Sequence, residues 1–183
     1  MVSINKVHKT PVKWPEIKLL MLDCDGVLTD GRIIYAGPEL ELKNFDAHDG
    51  MGFNVMRYAG IQVAVITGRS SVVLERRCRD LKIEHLYQGV AHKLEKANEL
   101  LQELGLTWVN VVYIGDDWND VPAMRKAALS FAPMDACEDI KRQADMVCSL
   151  PGGRGAVREV IDLILRKQGR YEQTVSAYLA DIS

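Results

Sequence analysis

Two short acidic runs hold the residues best suited to chemistry. Asp23 and Asp25 stand two apart in Asp23-Cys24-Asp25-Gly26, directly after the apolar run Ile17–Leu22. In an extended segment residues two apart point the same way, so both carboxylates can face one pocket while Cys24 points elsewhere. Gly26 then allows a tight turn. Asp116, Asp117 and Asp120 follow a second apolar run, Val109–Ile114, after Gly115. Two acidic clusters brought together repel unless a cation sits between them. Hard oxygen donors with an open coordination shell suit Mg²⁺.

Two further groups complete the set. Thr67-Gly68 closes a β-branched run, and a hydroxyl beside glycine backbone N–H groups can hold phosphate oxygens. Lys93 opens a helical pattern, where its ammonium can neutralise both a phosphate and an attacking carboxylate. Taken singly, helix caps, turns and solvated charges explain each of these residues. The order Asp-x-Asp, Thr, Lys, Asp-Asp, with each member at a strand end or at the start of the following helix, is far more specific.

The elements that must position these groups alternate. Ile17–Leu22, Gln62–Ile66, His85–Tyr87 and Val109–Ile114 read as strands, with smaller strands at Ala128–Phe131 and Met146–Cys148. Between them Met51–Tyr58, Ser71–Leu81, Lys93–Leu104 and Val121–Ala127 have helical spacing; a helix is expected near Asp139–Ala144, and the last covers Ala156–Gln168. Arg32–Tyr35 and Glu39–Phe45, joined by Ala36-Gly37-Pro38, give a hairpin signal. Repeated βα units imply a parallel sheet with helices on both faces: a doubly wound, three-layer α/β/α domain of Rossmann-like type. Ligands of such sheets bind beyond the carboxyl ends of the strands, where the acidic runs lie.

The 183 residues suit one domain. We divide them into an N-terminal extension (1–15), the α/β domain (16–169, with a hairpin flap at 32–45) and a C-terminal tail (170–183). With 48% hydrophobic and 26% charged residues the chain can bury a core, which excludes disordered and fibrous classes. A net charge of −2 gives no broad basic face for nucleic acid. No apolar run approaches the roughly 20 residues of a membrane helix, and the polar first residues lack the apolar stretch of a signal peptide. Cys24, Cys78, Cys137 and Cys148 form no CxxC pair, so zinc is not expected and a reduced, cytoplasmic setting is.

Asp23-Cys24-Asp25-Gly26-Val27-Leu28-Thr29-Asp30-Gly31, Thr67-Gly68-Arg69, Lys93 and Gly115-Asp116-Asp117-Trp118-Asn119-Asp120 resemble the motifs of the haloacid dehalogenase superfamily. From about Ile17 to Gln168, including Gly152-Gly153-Arg154-Gly155, the chain is similar to its 3-deoxy-D-manno-octulosonate 8-phosphate phosphatase family. The resemblance implies a Mg²⁺-dependent phosphomonoester hydrolase working through an aspartyl-phosphate. In it Asp23 would be the nucleophile and Asp25 the general acid and then base. Asp23, the Asp25 carbonyl and Asp116 would hold Mg²⁺. Thr67, Gly68 and Lys93 would bind phosphate, while Asp117 and Asp120 would orient metal waters or Lys93.

The segments between motifs are too short for a large cap domain, so the resemblance implies a capless member. Such members form tetramers through hairpins like this one, with tails reaching a neighbour's site. Substrate contacts would come from the loop Asp46–Gly50, with His48, Asp49 and Gly50, and from Arg69, Arg77 and Arg154. The family commonly has Arg where this chain has His48 and Asn54, which implies a related nonulosonate 9-phosphate or another sugar phosphate as the alternative substrate. Three other readings compete. A non-catalytic regulatory homologue is opposed by the intact catalytic positions. A signalling receiver domain is opposed because Lys93 precedes Asp116-Asp117 rather than following it. The glycines at 152–155 loosely suggest a dinucleotide loop, but no convincing strand precedes them.

Overall fold

The computed structural model describes residues 3–4, 12–37 and 40–183. One mixed sheet runs through the molecule. Strand β1 (Ser3–Ile4) lies antiparallel at one edge, followed in space by β9 (Met146–Val147), β8 (Leu129–Ala132), β7 (Val111–Ile114), β2 (Leu19–Leu22), β5 (Gln62–Ile66) and β6 (His85–Tyr87). All strands except β1 are parallel. This is the α/β fold expected from the sequence. The N-terminal extension adds the edge strand β1.

β2 is an interior strand, flanked by β7 and β5, and its four residues are fully buried. It reads as an unbroken apolar run because both of its faces are covered. Leu20 and Leu22 pack with Val63, Val65, Val112 and Ile114 on one face. That face is covered by α1 (Ala47–Arg57), α2 (Val72–Asp80) and α6 (Ala156–Lys167). Leu19 and Met21 point the other way, onto α3 (Lys93–Leu104), α4 (Val121–Met124) and α5 (Glu138–Gln143). The register sets Leu22 beside Val65 and Ile114, so β2, β5 and β7 end level and the loops after them share one edge.

β2 and β7 each begin two residues later than the sequence reading, α4 ends three residues earlier, and three further elements differ in ways that bear on the site. α1 begins at Ala47, not Met51, because Asp46 caps it by accepting the His48 N–H at 2.6 Å. Gly50 and Gly52 within its first turns are weak helix formers, and they hide this start in the sequence. The hairpin is short: β3 (Ile34–Tyr35) pairs with β4 (Glu41–Leu42), and a Thr29–Phe45 bridge closes its base. Pro38 and Glu39, in its expected turn and second strand, lie outside the described residues. Beyond Gly169 the chain forms α7 (Tyr171–Asp181), packed on α1 and α6 of the same chain with Tyr178 edge-on to Tyr58.

The glycine-rich run before α6 is a packing device. A Cβ on Gly152 would lie 1.9 Å from the Gly26 carbonyl oxygen, and one on Gly153 would lie 2.4 Å from the Thr29 carbonyl carbon. Gly153 also has φ +61° and donates its N–H to Val27 O at 2.9 Å. Backbone thus meets backbone directly behind the Asp23–Asp25 turn, which leaves no phosphate cradle of the dinucleotide kind. Gly152→Ala should therefore cost on the order of 3 kcal/mol through overpacking. It should lower the unfolding midpoint by roughly 6–12 °C in a chain of this size. Gly60→Ala is the control: a Cβ there meets nothing and only the φ of +66° is strained, so thermal denaturation should register a smaller loss.

Candidate active site

Lys93 lies at the centre of the site. It opens α3 with its side chain fully buried, and its Nζ sits 2.9 Å from Asp23 Oδ2 and 2.8 Å from Asp120 Oδ1. Asp23 leaves the end of β2 and donates its N–H to Ile114 O, which ties it to the end of β7. Asp120 is wholly buried, and both of its oxygens are occupied. Oδ1 accepts from Lys93 and from the Tyr113 hydroxyl at 2.8 Å, while Oδ2 accepts from the backbone N–H groups of Asp116 (3.1 Å) and Asp117 (3.4 Å). Burial, then Asp120, push the Tyr113 phenol well above its usual value, so it stays a donor. Asp120 thereby fixes both Lys93 and the loop that carries Asp116.

Oxygens of Asp23, Asp116 and Asp120 lie within 4.8 Å of one another. Oδ1 of Asp23 and Oδ1 of Asp116 are buried without a hydrogen-bond partner. Buried carboxylate oxygens are normally satisfied, so two unpartnered oxygens on neighbouring carboxylates fit a cation that binds both groups. Asp120 has no oxygen to spare and holds the others in place. Burial, then Asp23 and Asp120, raise the Asp116 carboxyl to about 8. Burial and Asp120 raise Asp23 to about 6 against the opposing pull of Lys93. Gly26, at φ +83°, lets its loop pass Asp116, since a Cβ there would fall 2.0 Å from Oδ2.

Asp25 points toward different partners. Its Oδ1 contacts the Lys43 Nζ directly, with the Thr29 hydroxyl at 3.5 Å, and its Oδ2 lies 3.6 Å from Arg69 Nε. Arg69 also binds Glu41 Oε1 at 2.9 Å. Lys43, Glu41 and Tyr113 escaped sequence analysis. Tyr113 looks like core, and the two charges look like the solvated side of a hairpin. The two-residue spacing of Glu41 and Lys43, which puts both on one strand face, was the available signal. Thr67 is buried at the end of β5, with its hydroxyl accepting from the Arg69 N–H and Gly68 beside it.

The expected substrate residues separate into two groups. Residues 46–50 are not a loop but a cap and first turn of α1, and Asp49 and Gly50 are committed there. Asp49 is buried and accepts from the Arg158 and Gly155 N–H groups at 2.7 and 3.3 Å, holding α6. Gly50 makes room for Arg77, which donates to Asp46 O at 3.1 Å and lies over the Phe45 ring. These three thus tie the start of α1 to α6 and to α2. His48 and Arg154 are exposed, and Arg69 alone joins the carboxylate cluster. Asp117 caps its own loop by accepting the Trp118 N–H at 2.7 Å, and Trp118 is exposed beside it.

The raised Asp116 carboxyl makes stability depend on pH. Between its ordinary value of 3.8 and about 8 the folded chain keeps a proton that the unfolded chain releases. Its contribution is thus complete below 3.8 and lost as pH rises to about 8. Without metal, this group should make the protein melt lower at pH 8 than at pH 6. Added Mg²⁺ needs the ionised form, so it should raise the midpoint more at pH 8. Asp116→Asn should abolish both effects in thermal melts.

Similarity to known proteins follows the same residues. A haloacid dehalogenase-like hydrolase model matches residues 49–128. The chain is 46% identical over 161 residues to the 3-deoxy-D-manno-octulosonate 8-phosphate phosphatase KdsC of Escherichia coli (strain K12), covering 88% of this chain and 86% of that one. The crystal structure of a 3-deoxy-D-manno-octulosonate 8-phosphate phosphatase from Yersinia pestis superposes with a TM-score of 0.85 at 45% identity, over 87% and 86% of the chains. That of the Moraxella catarrhalis phosphatase, in complex with magnesium ion, phosphate ion and a KDO molecule, gives 0.86 at 38% identity, over 91% and 95%. The chain belongs to the 3-deoxy-D-manno-octulosonate 8-phosphate phosphatase family of haloacid dehalogenase-like hydrolases.

Proposed function

We propose that the protein hydrolyses 3-deoxy-D-manno-octulosonate 8-phosphate to the free sugar acid and phosphate. The observation that carries this reading is the Lys93 ammonium bridging Asp23 and Asp120 beside two orphaned carboxylate oxygens. Asp23, Asp116 and the Asp25 main-chain carbonyl are the groups to hold Mg²⁺, which supplies positive charge against the phosphate dianion. Lys93 holds the nucleophile and offsets charge on the transferring oxygens. Thr67 and the Gly68 N–H bind the remaining phosphoryl oxygens.

Asp23 attacks phosphorus, the P–O bond to the sugar breaks, and the departing oxygen takes the proton of Asp25. Asp25, now ionised, removes a proton from the water that attacks the aspartyl-phosphate. Phosphate leaves, and both carboxyls return to their starting states. Asp117 and Asp120 act by holding the metal loop and Lys93.

Assembly as a cytoplasmic homotetramer is supported by the hairpin. Ile33, Ile34, Tyr35, Leu40 and Leu42 are all exposed, and Ile34 and Leu42 form a cross-strand apolar pair. No helix among the described residues is long and apolar enough to cross a membrane. The residues to read the sugar acid are His48, Asp49, Gly50, Arg69 and Arg77, with the exposed Arg154 acting across a subunit interface.

Phosphate release should be measured from the octulosonate 8-phosphate, a nonulosonate 9-phosphate and hexose phosphates in Mg²⁺. The first is expected to be fastest; preference for the nonulosonate would assign the alternative substrate, and no release from any would favour a regulatory homologue. Asp23→Asn should lose at least about 10³-fold in kcat. Ile34→Asp with Leu42→Asp should sediment as a smaller species than the parent chain.

A further inference from the structure

Lys43 is a costly residue to bury. It lies on a hairpin whose Ile33, Ile34, Tyr35, Leu40 and Leu42 are exposed, yet its own side chain is only 1% exposed. A buried ammonium is tolerated when it is paired, and such pairs are rarely net sources of stability. Its partners close a ring of alternating charge. Asp25 Oδ1 contacts Lys43, Lys43 lies 3.7 Å from Glu41, Glu41 accepts from Arg69 at 2.9 Å, and Arg69 Nε returns to within 3.6 Å of Asp25 Oδ2.

The two oxygens of Asp25 are treated unequally. Oδ1 is held by Lys43, with Thr29 behind it. Among the described residues Oδ2 accepts no hydrogen bond, and Arg69 Nε, 3.6 Å from it, is itself buried without an acceptor. We infer that Lys43 is a positioning residue: by pinning Oδ1 it fixes the side-chain rotation of Asp25 and presents Oδ2 to the oxygen of the departing alcohol. This rests on the phosphatase reading above. The step it serves is the first displacement, in which the proton on Oδ2 passes to the sugar oxygen as the P–O bond breaks and Asp25 is left as the carboxylate. The hairpin therefore does more than cover the site, because its lysine aims the acid.

The test compares two leaving groups. A sugar alkoxide must be protonated as it departs, whereas nitrophenolate leaves without help. Lys43→Met keeps the length and apolar stem of the side chain but removes the charge. It is expected to lower kcat on octulosonate 8-phosphate by about 10²-fold or more. Its loss on p-nitrophenyl phosphate should be at least about tenfold smaller, because acid catalysis is not needed there. Lys43→Arg, which keeps the charge and the donor, should recover part of the sugar-phosphate rate. Equal losses on both substrates, or no loss on either, would overturn the inference. A parent chain inert on both substrates would instead overturn the phosphatase reading itself.

Discussion

One buried ammonium governs the chemistry of this molecule. Asp23, Asp116 and Asp120 converge in a space from which water is largely excluded, where like charges repel strongly. Lys93 offsets part of that repulsion by bridging Asp23 and Asp120. Burial, and then the repulsion that Lys93 leaves, hold the Asp116 and Asp23 carboxyls elevated, and one oxygen of each is without a partner. A site strained in this way is ready for a divalent cation and a phosphate, because both supply the partners that the fold withholds.

That concentration of charge needs a rigid frame, and the sheet provides one. β2, β5 and β7 end level, so three loops begin from a common edge. The loop after β2 is then braced from behind by Gly152 and Gly153, whose missing side chains let two backbones touch. Asp120 braces the loop after β7 from below, using both oxygens on Lys93, Tyr113 and two backbone N–H groups. The acids with unpartnered oxygens, Asp23 and Asp116, are thus held by one whose oxygens are both occupied, Asp120.

Without a large cap, the hairpin is the element that lies over the site in this chain. It is tied to the domain by charge at Lys43, Glu41 and Arg69 and by the Thr29–Phe45 bridge, while its apolar residues face outward. The inner face holds Asp25 through Lys43, and the outer one exposes Ile33, Ile34, Tyr35, Leu40 and Leu42.

The sequence by itself determined the α/β architecture, since alternating apolar runs and helical spacings permit little else. It also marked the candidate site, because Asp23, Asp25, Thr67, Lys93 and Asp116 each stand at a strand end or at the start of the helix that follows. Tertiary structure decided the rest, where a residue's role depends on what lies across from it. Asp49 and Arg77 stand alone in one dimension, yet the fold ties Asp49 to the start of α6 and Arg77 to the Asp46 carbonyl before α1. Lys43 and Tyr113 look like surface and core, yet chain segments 18 and 7 residues away make them partners of Asp25 and Asp120. Hydrophobic periodicity encodes which face of an element is buried. It carries no information on which polar group will be buried beside which, since that is set by distances between segments remote in the chain.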